Sequence, residues 1–202
     1  MGARAKKKSA EIPTQKTLFG SDAARQGGIT EPMISSDTDE WYTPRWVLDL
    51  VIKVLGKIDL DPCSNSSDDP NVPATHHFTK EDDGLSKPWT GRVFMNPPYG
   101  EVIESWVDKL INEFGKENVS EAIALTGART DTAWFKKLLN YPFPCCLIDG
   151  RIHFLGAKNS STIGSAIFYL GPDVVKFSNV FKEIGTVVTA MAMKNPPKHA
   201  RL

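Results

Sequence analysis

From Trp41 onward the apolar residues fall into regular periods. Trp46, Val47, Leu50, Val51, Val54 and Leu55 recur at the three- and four-residue spacing of a helix that buries one stripe, and Gly56 offers a stop. Thr43-Pro44 ahead of them supplies an N-cap beside a proline suited to the first helical position. Lys57 to Pro62 reads as a short strand that its proline ends, which leaves Asp61 at the strand's C-terminal edge. A loop rich in Ser, Asn, Asp and Pro runs from Cys63 to Pro73, and a second short strand is expected at 75–79. Arg92 to Met95 is a continuous apolar strand cut off by Asn96-Pro97-Pro98-Tyr99-Gly100. The next helix, from Val102 to about Phe114, carries Ile103, Trp106, Val107, Leu110 and Ile111 on one face. Further strands are expected at Glu121 to Thr126, Cys145 to Ile148, Ile152 to Leu155, Ala166 to Leu170 and Val187 to Met193. A helix near Thr132 to Leu139 and a helix or turn around Val174 to Phe181 complete the pattern. This alternation predicts an α/β domain with a mostly parallel sheet and helices on both faces.

The ends of the chain have a different texture. Residues 1 to 39 mix Lys6-Lys7-Lys8 with Gly27-Gly28, Pro13, Pro32 and Ser35-Ser36 and show neither period, so they read as a flexible leader to a domain at 40–193. Residues 194–202 form a short tail with Lys194, Lys198 and Arg201. At 202 residues, 41% hydrophobic and 24% charged, the chain has the length and composition of one soluble domain rather than of a fibrous or disordered protein. No apolar run reaches the ~18 residues of a membrane span, and no signal peptide opens the chain, so a cytoplasmic location is expected. Formal net charge is zero, but residues 1 to 20 carry net +4 and residues 21 to 40 net −4. Basic tails on a mildly acidic core suit either solvent or phosphate. Three cysteines, Cys63, Cys145 and Cys146, have the spacing of neither a disulfide framework nor a zinc site, and His76-His77 has no partner at metal-ligand spacing. No metal is expected.

In open α/β sheets ligands bind beyond the C-terminal ends of the strands, which directs attention to the residues just past each strand. Asp61 is either a turn-former before Pro62 or a carboxylate paired with a cationic group of a ligand. Asn96-Pro97-Pro98-Tyr99 has a more particular chemistry. An exocyclic amine on an aromatic ring is a poor nucleophile because its lone pair is delocalised. An Asn side-chain carbonyl and a neighbouring backbone carbonyl can each accept one of its N–H bonds and localise that pair towards a methyl donor. Two prolines hold this backbone rigid, and Tyr99 offers a face for stacking an extruded base. Asn195-Pro196-Pro197 repeats three letters in a polar tail and is read as a decoy. In Thr126-Gly127-Ala128-Arg129-Thr130-Asp131-Thr132, Arg129 could grip a phosphate, a carboxylate or a base edge, or lie at the surface beside a cap from Thr130 or Asp131. Arg151, His153, Lys158, Asn159, Ser160 and Ser161 form a further polar cluster.

Taken together, Glu40-Trp41-Tyr42-Thr43-Pro44, Ile58-Asp59-Leu60-Asp61-Pro62, Phe78-Thr79-Lys80-Glu81-Asp82-Asp83-Gly84-Leu85 and Asn96-Pro97-Pro98-Tyr99-Gly100 resemble the phage-type DNA N6-adenine methyltransferases, the Dam-like family, over about residues 40 to 170. The resemblance implies a Rossmann-like, S-adenosylmethionine-dependent enzyme that flips an adenine out of double-stranded DNA. It places Tyr42, Thr43 and Pro44 along the methionine end of the cofactor, Asp61 and Pro62 at its amino group, and Asp82 or Asp83 near its adenine. Asn96, Pro97, Pro98 and Tyr99 would hold the target adenine. Arg129, Arg151, Lys158 and Asn159 would contact DNA from loops within 127–165. The loop after the first strand departs from the wider methyltransferase pattern, since Asp61 to Asn65 contains no glycine. It is also too short for a crossover helix. The ribose-binding carboxylate is unassigned, with Asp68 and Asp69 as weak candidates. Rival readings are a methyltransferase acting on RNA or a protein glutamine, and a catalytically idle DNA-binding accessory protein.

Overall fold

A computed structural model describes residues 41–140, 144–156 and 162–189. The leader at 1–39, the tail at 194–202, and Lys158 and Asn159 lie outside them. Among the described residues, four helices, α1 (Arg45–Leu55), α2 (Ile103–Gly115), α3 (Ala133–Leu139) and α4 (Val174–Phe181), pack on a seven-stranded sheet. Its strands are β1 (Ile58–Asp61), β2 (Ala74–His77), β3 (Gly91–Met95), β4 (Val119–Gly127), β5 (Pro144–Ile148), β6 (Ser165–Leu170) and β7 (Gly185–Thr189). Their order across the sheet is β2-β1-β3-β4-β6-β5-β7.

The two-residue period of the central strands divides the core between the faces of the sheet. Phe94 of β3, Ile123 and Leu125 of β4 and Ile167 and Tyr169 of β6 pack with α1 and α4. Val93 and Met95, Ala122 and Ala124, and Ala166, Phe168 and Leu170 point the other way, towards α2 and α3. Strands buried on both faces read as unbroken apolar runs, which explains the pattern of residues 92–95 and 121–126. Phe94, Ile123 and Phe168 are at most 2% exposed, and burying each such side chain contributes about 1.5 to 3 kcal/mol. The expected helices on both faces are present.

The sheet itself is mixed. β2-β1, β1-β3 and β3-β4 pair parallel, whereas β4-β6, β6-β5 and β5-β7 pair antiparallel. The parallel half accords with the expected sheet; the other half does not, because β6, between β4 and β5, and β7, at the edge, both run in the opposite direction. The expected strand at Ile152 to Leu155 is not one. Its buried Ile152 and Phe154 fill the core under α1, and only Leu155 makes a bridge, to Tyr42. Alternating burial can thus come from a segment that covers a core edge without joining the sheet. β1 and β2 pair in parallel although the connection at 62–73 forms no helix. Among the described residues, no helix is long and apolar enough to cross a membrane.

Candidate active site

Parallel pairing turns the C-terminal ends of β1, β2, β3 and β4 to one edge of the sheet. Asp61 ends β1, the Asn96 motif follows β3, and Arg129 lies two residues past β4. The antiparallel direction of β6 brings Ile163 and Gly164, which lead into it, to the same edge, where Ala128 N–H donates to the Gly164 carbonyl at 2.7 Å.

The side chain of Asn96 is held at one end and open at the other. Its Nδ2 donates to the Trp41 carbonyl at 2.9 Å and to Thr43 Oγ1 at 3.2 Å. A carbonyl can only accept, so this pair fixes which end of the amide is nitrogen. Oδ1 is buried and has no hydrogen-bond partner among the described residues. An unpaired buried acceptor costs about 1 to 3 kcal/mol, a cost that a ligand N–H would remove. The Asn96 backbone carbonyl is engaged separately, accepting from the Cys63 thiol at 3.2 Å. Burial and the neighbouring Asp61 push that thiol up, away from the thiolate form of a nucleophile.

Pro97 is buried and Pro98 exposed, and the half-buried Tyr99 follows them. The Tyr99 ring meets Trp41 edge-on at 6.2 Å, Trp41 meets Phe154 in the same manner at 5.2 Å, and burial pushes the Tyr99 phenol up. Gly127 lies beside the ring: a Cβ there would make ordinary contact, 3.5 Å from Tyr99 Cε1 and 3.7 Å from Ile163. Gly100, at φ 99°, makes the left-handed turn from the motif into α2, a conformation that excludes ordinary side chains.

Asp61 is 2% exposed. Its Oδ1 accepts from Cys63 N–H at 3.2 Å, yet burial outweighs this bond and the nearby His77, and raises the carboxyl from 3.8 to about 6. His77 donates from Nε2 to the Val72 carbonyl at 2.9 Å, so it is tied into the fold. Beyond β1 and β2 an open cleft of about 460 Å³ is lined by Asn65, Ser66, Ser67, Thr79, Glu81 and Asp82. Asp82 Oδ2 accepts from both Thr79 N–H and Thr79 Oγ1, and these bonds hold its carboxyl below the usual range. Gly84 is buried against the Pro62 carbonyl, and its own carbonyl accepts from Trp89 Nε1 at 2.8 Å, which anchors this wall of the cleft. Asp83 adopts φ 54° beyond the lining residues, and Asp68 and Asp69 are exposed.

Two cationic candidates, Arg129 and Arg151, follow β4 and β5. Arg129 makes a fork with Asp131, Nε at 3.2 Å and Nη2 at 3.1 Å. The cap of α3 is Thr132 rather than Thr130 or Asp131, with its hydroxyl accepting from Phe135 N–H. Arg151 is exposed, with its guanidinium over Gly164. Thr43 does not cap α1: Pro44 occupies that position without a side-chain cap, and the Thr43 hydroxyl serves Asn96 instead. Pro44 is thus one residue earlier than the first helical position expected of it.

Sequence reasoning missed Asn71, which bonds both backbone groups of Thr43, and the Trp41 carbonyl. It also missed Asn65, Ser66, Ser67, Thr79 and Glu81 as cleft residues. Thr79, Glu81 and Trp41 stood inside the motifs that carry the resemblance, whereas Asn65, Ser66, Ser67 and Asn71 had only the polar texture of their loop as a signal. Among the described residues, no group of three or more His, Cys, Asp or Glu side chains could hold a metal ion.

The model of the family described as DNA N-6-adenine-methyltransferase (Dam) matches residues 32–195, about four fifths of the chain. No curated protein matches the sequence. The chain therefore belongs to the DNA N-6-adenine-methyltransferase (Dam) family, and the expected resemblance holds.

Proposed function

We propose that this chain transfers a methyl group from S-adenosylmethionine to the N6 amine of an adenine flipped out of double-stranded DNA, on a Rossmann-like domain. The observation that carries the reading is the asymmetry of Asn96: nitrogen bound twice, oxygen buried and unpaired. Such an amide accepts a hydrogen bond and does not donate one into the site. An adenine amine presents the complementary N–H. With one N–H on Oδ1 and the other on the Pro97 carbonyl, the nitrogen is drawn towards tetrahedral geometry and its lone pair leaves the ring plane. Asn96 is not basic. It therefore stabilises the positive charge growing on nitrogen by hydrogen bonding; as the N–C bond forms the methyl's bond to sulfur would break to leave a neutral thioether, and the surplus amine proton would pass to water. Tyr99 stacks on the flipped base, an interaction worth about 1 to 3 kcal/mol, and offsets part of the unstacking cost.

The residues around the cleft suit the cofactor. Asp61 offers a buried carboxylate to its ammonium group, with Pro62 and the Tyr42-Thr43-Pro44 segment alongside. Ser66, Ser67, Thr79, Glu81 and Asp82 supply hydroxyl and carboxylate partners for its ribose and adenine. When bound, it supplies an electrophilic methyl carbon. Arg129 and Arg151 contact DNA phosphate or base edges; for Arg129 this exchanges the Asp131 carboxylate for another anion. Lys158 and Asn159 belong to the same DNA-contacting set. Action in the cytoplasm of a bacterial host, as a phage or prophage product, completes the reading.

The test is direct. The full chain is incubated with methyl-labelled S-adenosylmethionine and random-sequence duplex DNA, and the labelled nucleoside is identified. N6-methyladenine supports the proposal, whereas label on cytosine alone, or label found only when RNA or a protein extract replaces the DNA in a parallel incubation, overturns it.

A further inference from the structure

Asn71 sits in the connection between β1 and β2 and belongs to none of the family motifs. Its half-buried side chain closes a ring on the backbone of Thr43: Oδ1 accepts from Thr43 N–H at 2.9 Å and Nδ2 donates to the Thr43 carbonyl at 3.1 Å. Its own N–H donates to Asn65 Oδ1 at 2.9 Å, which ties the clamp to the wall of the cleft. On the opposite side, Tyr42 and Leu155 exchange backbone bonds of 3.3 and 3.0 Å. The segment 41–43 is therefore gripped from two directions immediately ahead of α1.

That segment carries both acceptors of the Asn96 nitrogen, the Trp41 carbonyl and Thr43 Oγ1. A primary amide reverses its chemistry when it rotates by half a turn, because its oxygen and nitrogen ends are nearly equal in size. In the reversed state NH2 would face the substrate amine, donor against donor. What prevents this is the position of a carbonyl two residues from the Asn71 clamp. The proline pair of the motif cannot do so, since it stiffens the backbone and leaves the side-chain torsion free.

We infer that Asn71 is a positioning residue for methyl transfer: by clamping Thr43 it holds in place the acceptors that keep Asn96 Oδ1 turned to the target amine. This rests on the function proposed above. It predicts a loss of turnover that depends on the presence of the Asn96 amide.

The test is a double-mutant cycle on the full chain, comparing wild type, Asn71→Ala, Asn96→Ala and the double variant. Transfer from labelled S-adenosylmethionine to adenine-containing duplex is followed together with Tm. Asn71→Ala should lower kcat about tenfold, the size expected from losing two hydrogen bonds, with KM for DNA changed by less than about threefold. In the Asn96→Ala background the same change should cost less than about twofold, because the amide it orients is gone. Asn71→Asp keeps the acceptor for Thr43 N–H and loses the donor to the carbonyl; it should fall between, and it replaces Asn71→Ala throughout the cycle if that variant does not fold. Equal fractional losses in both backgrounds, or wild-type kcat in Asn71→Ala, would show general support of the fold and overturn the inference alone. No transfer to DNA by the wild-type chain overturns the methyl-transfer reading and this inference with it.

Discussion

Replacing Asp61 with Asn should make the protein more stable above pH 6 while weakening its hold on the cofactor. The carboxyl is 2% exposed and raised from 3.8 to about 6 by burial. At 1.36 kcal/mol per pH unit, that displacement corresponds to roughly 3 kcal/mol between the protonated and ionised forms. An acid held above its unfolded value favours the fold fully when both states are protonated, below about pH 4, and that contribution is lost as pH rises through about 6. Asparagine cannot ionise and so suffers no such loss. Its Oδ1 still accepts from Cys63 N–H, and whatever else the substitution changes in packing is the same at every pH. The assay is urea denaturation of both proteins without cofactor, near pH 4 and near pH 8. The stability difference between variant and wild type should move towards the variant by roughly 3 kcal/mol from the lower to the higher pH, or about 6 to 12 °C in Tm for a domain of this size. Calorimetry on the same variant should show S-adenosylmethionine binding weakened several-fold or more, since a charge-assisted bond of about 1.5 to 3 kcal/mol is lost. A difference that stays constant with pH would refute the buried ionised carboxylate, and an unchanged dissociation constant would return Asp61 to a turn-former.

Asn96→Ala should leave Tm within a few degrees of wild type and cut turnover by roughly 10² to 10³, as removal of one transition-state hydrogen-bonding group does; wild-type turnover would exclude its catalytic role. Tyr99→Phe keeps the stacking face and should stay active, whereas Tyr99→Ala should lose about 1 to 3 kcal/mol of target-base affinity, measured by titration of adenine-containing and abasic duplexes. Gly84→Ala would drive a side chain into the Pro62 carbonyl, so denaturation should show a loss of about 1 to 3 kcal/mol and cofactor affinity should fall as the 79–84 wall shifts.

Much of this molecule was legible in its sequence for a local reason. The spacing of Val47, Leu50, Val51 and Val54 is a property of one segment, and it set α1 before any partner was known. The unbroken apolar runs of β3 and β4 likewise announced strands buried on both faces. The Asn96 motif and the terminal position of Asp61 were equally visible, because a proline ends a strand wherever the strand later goes. What the pattern could not supply was the path of the chain between segments. Ile152 and Phe154 alternate like strand residues but pack beside the sheet, and β6 and β7 together reverse half of the pairing, since periodicity records burial and not direction.

The same division runs through the site. Sequence singled out Asn96 as a candidate, but only the tertiary structure decided which end of its amide is left unpaired. That choice depends on Trp41, 55 residues away, and on Asn71, which reaches Thr43 across 28 residues. A hydrophobic side chain needs only some apolar neighbour, so its burial follows from local period. A hydrogen bond needs one particular atom at about 3 Å and a fixed angle, and that atom is placed by the whole fold.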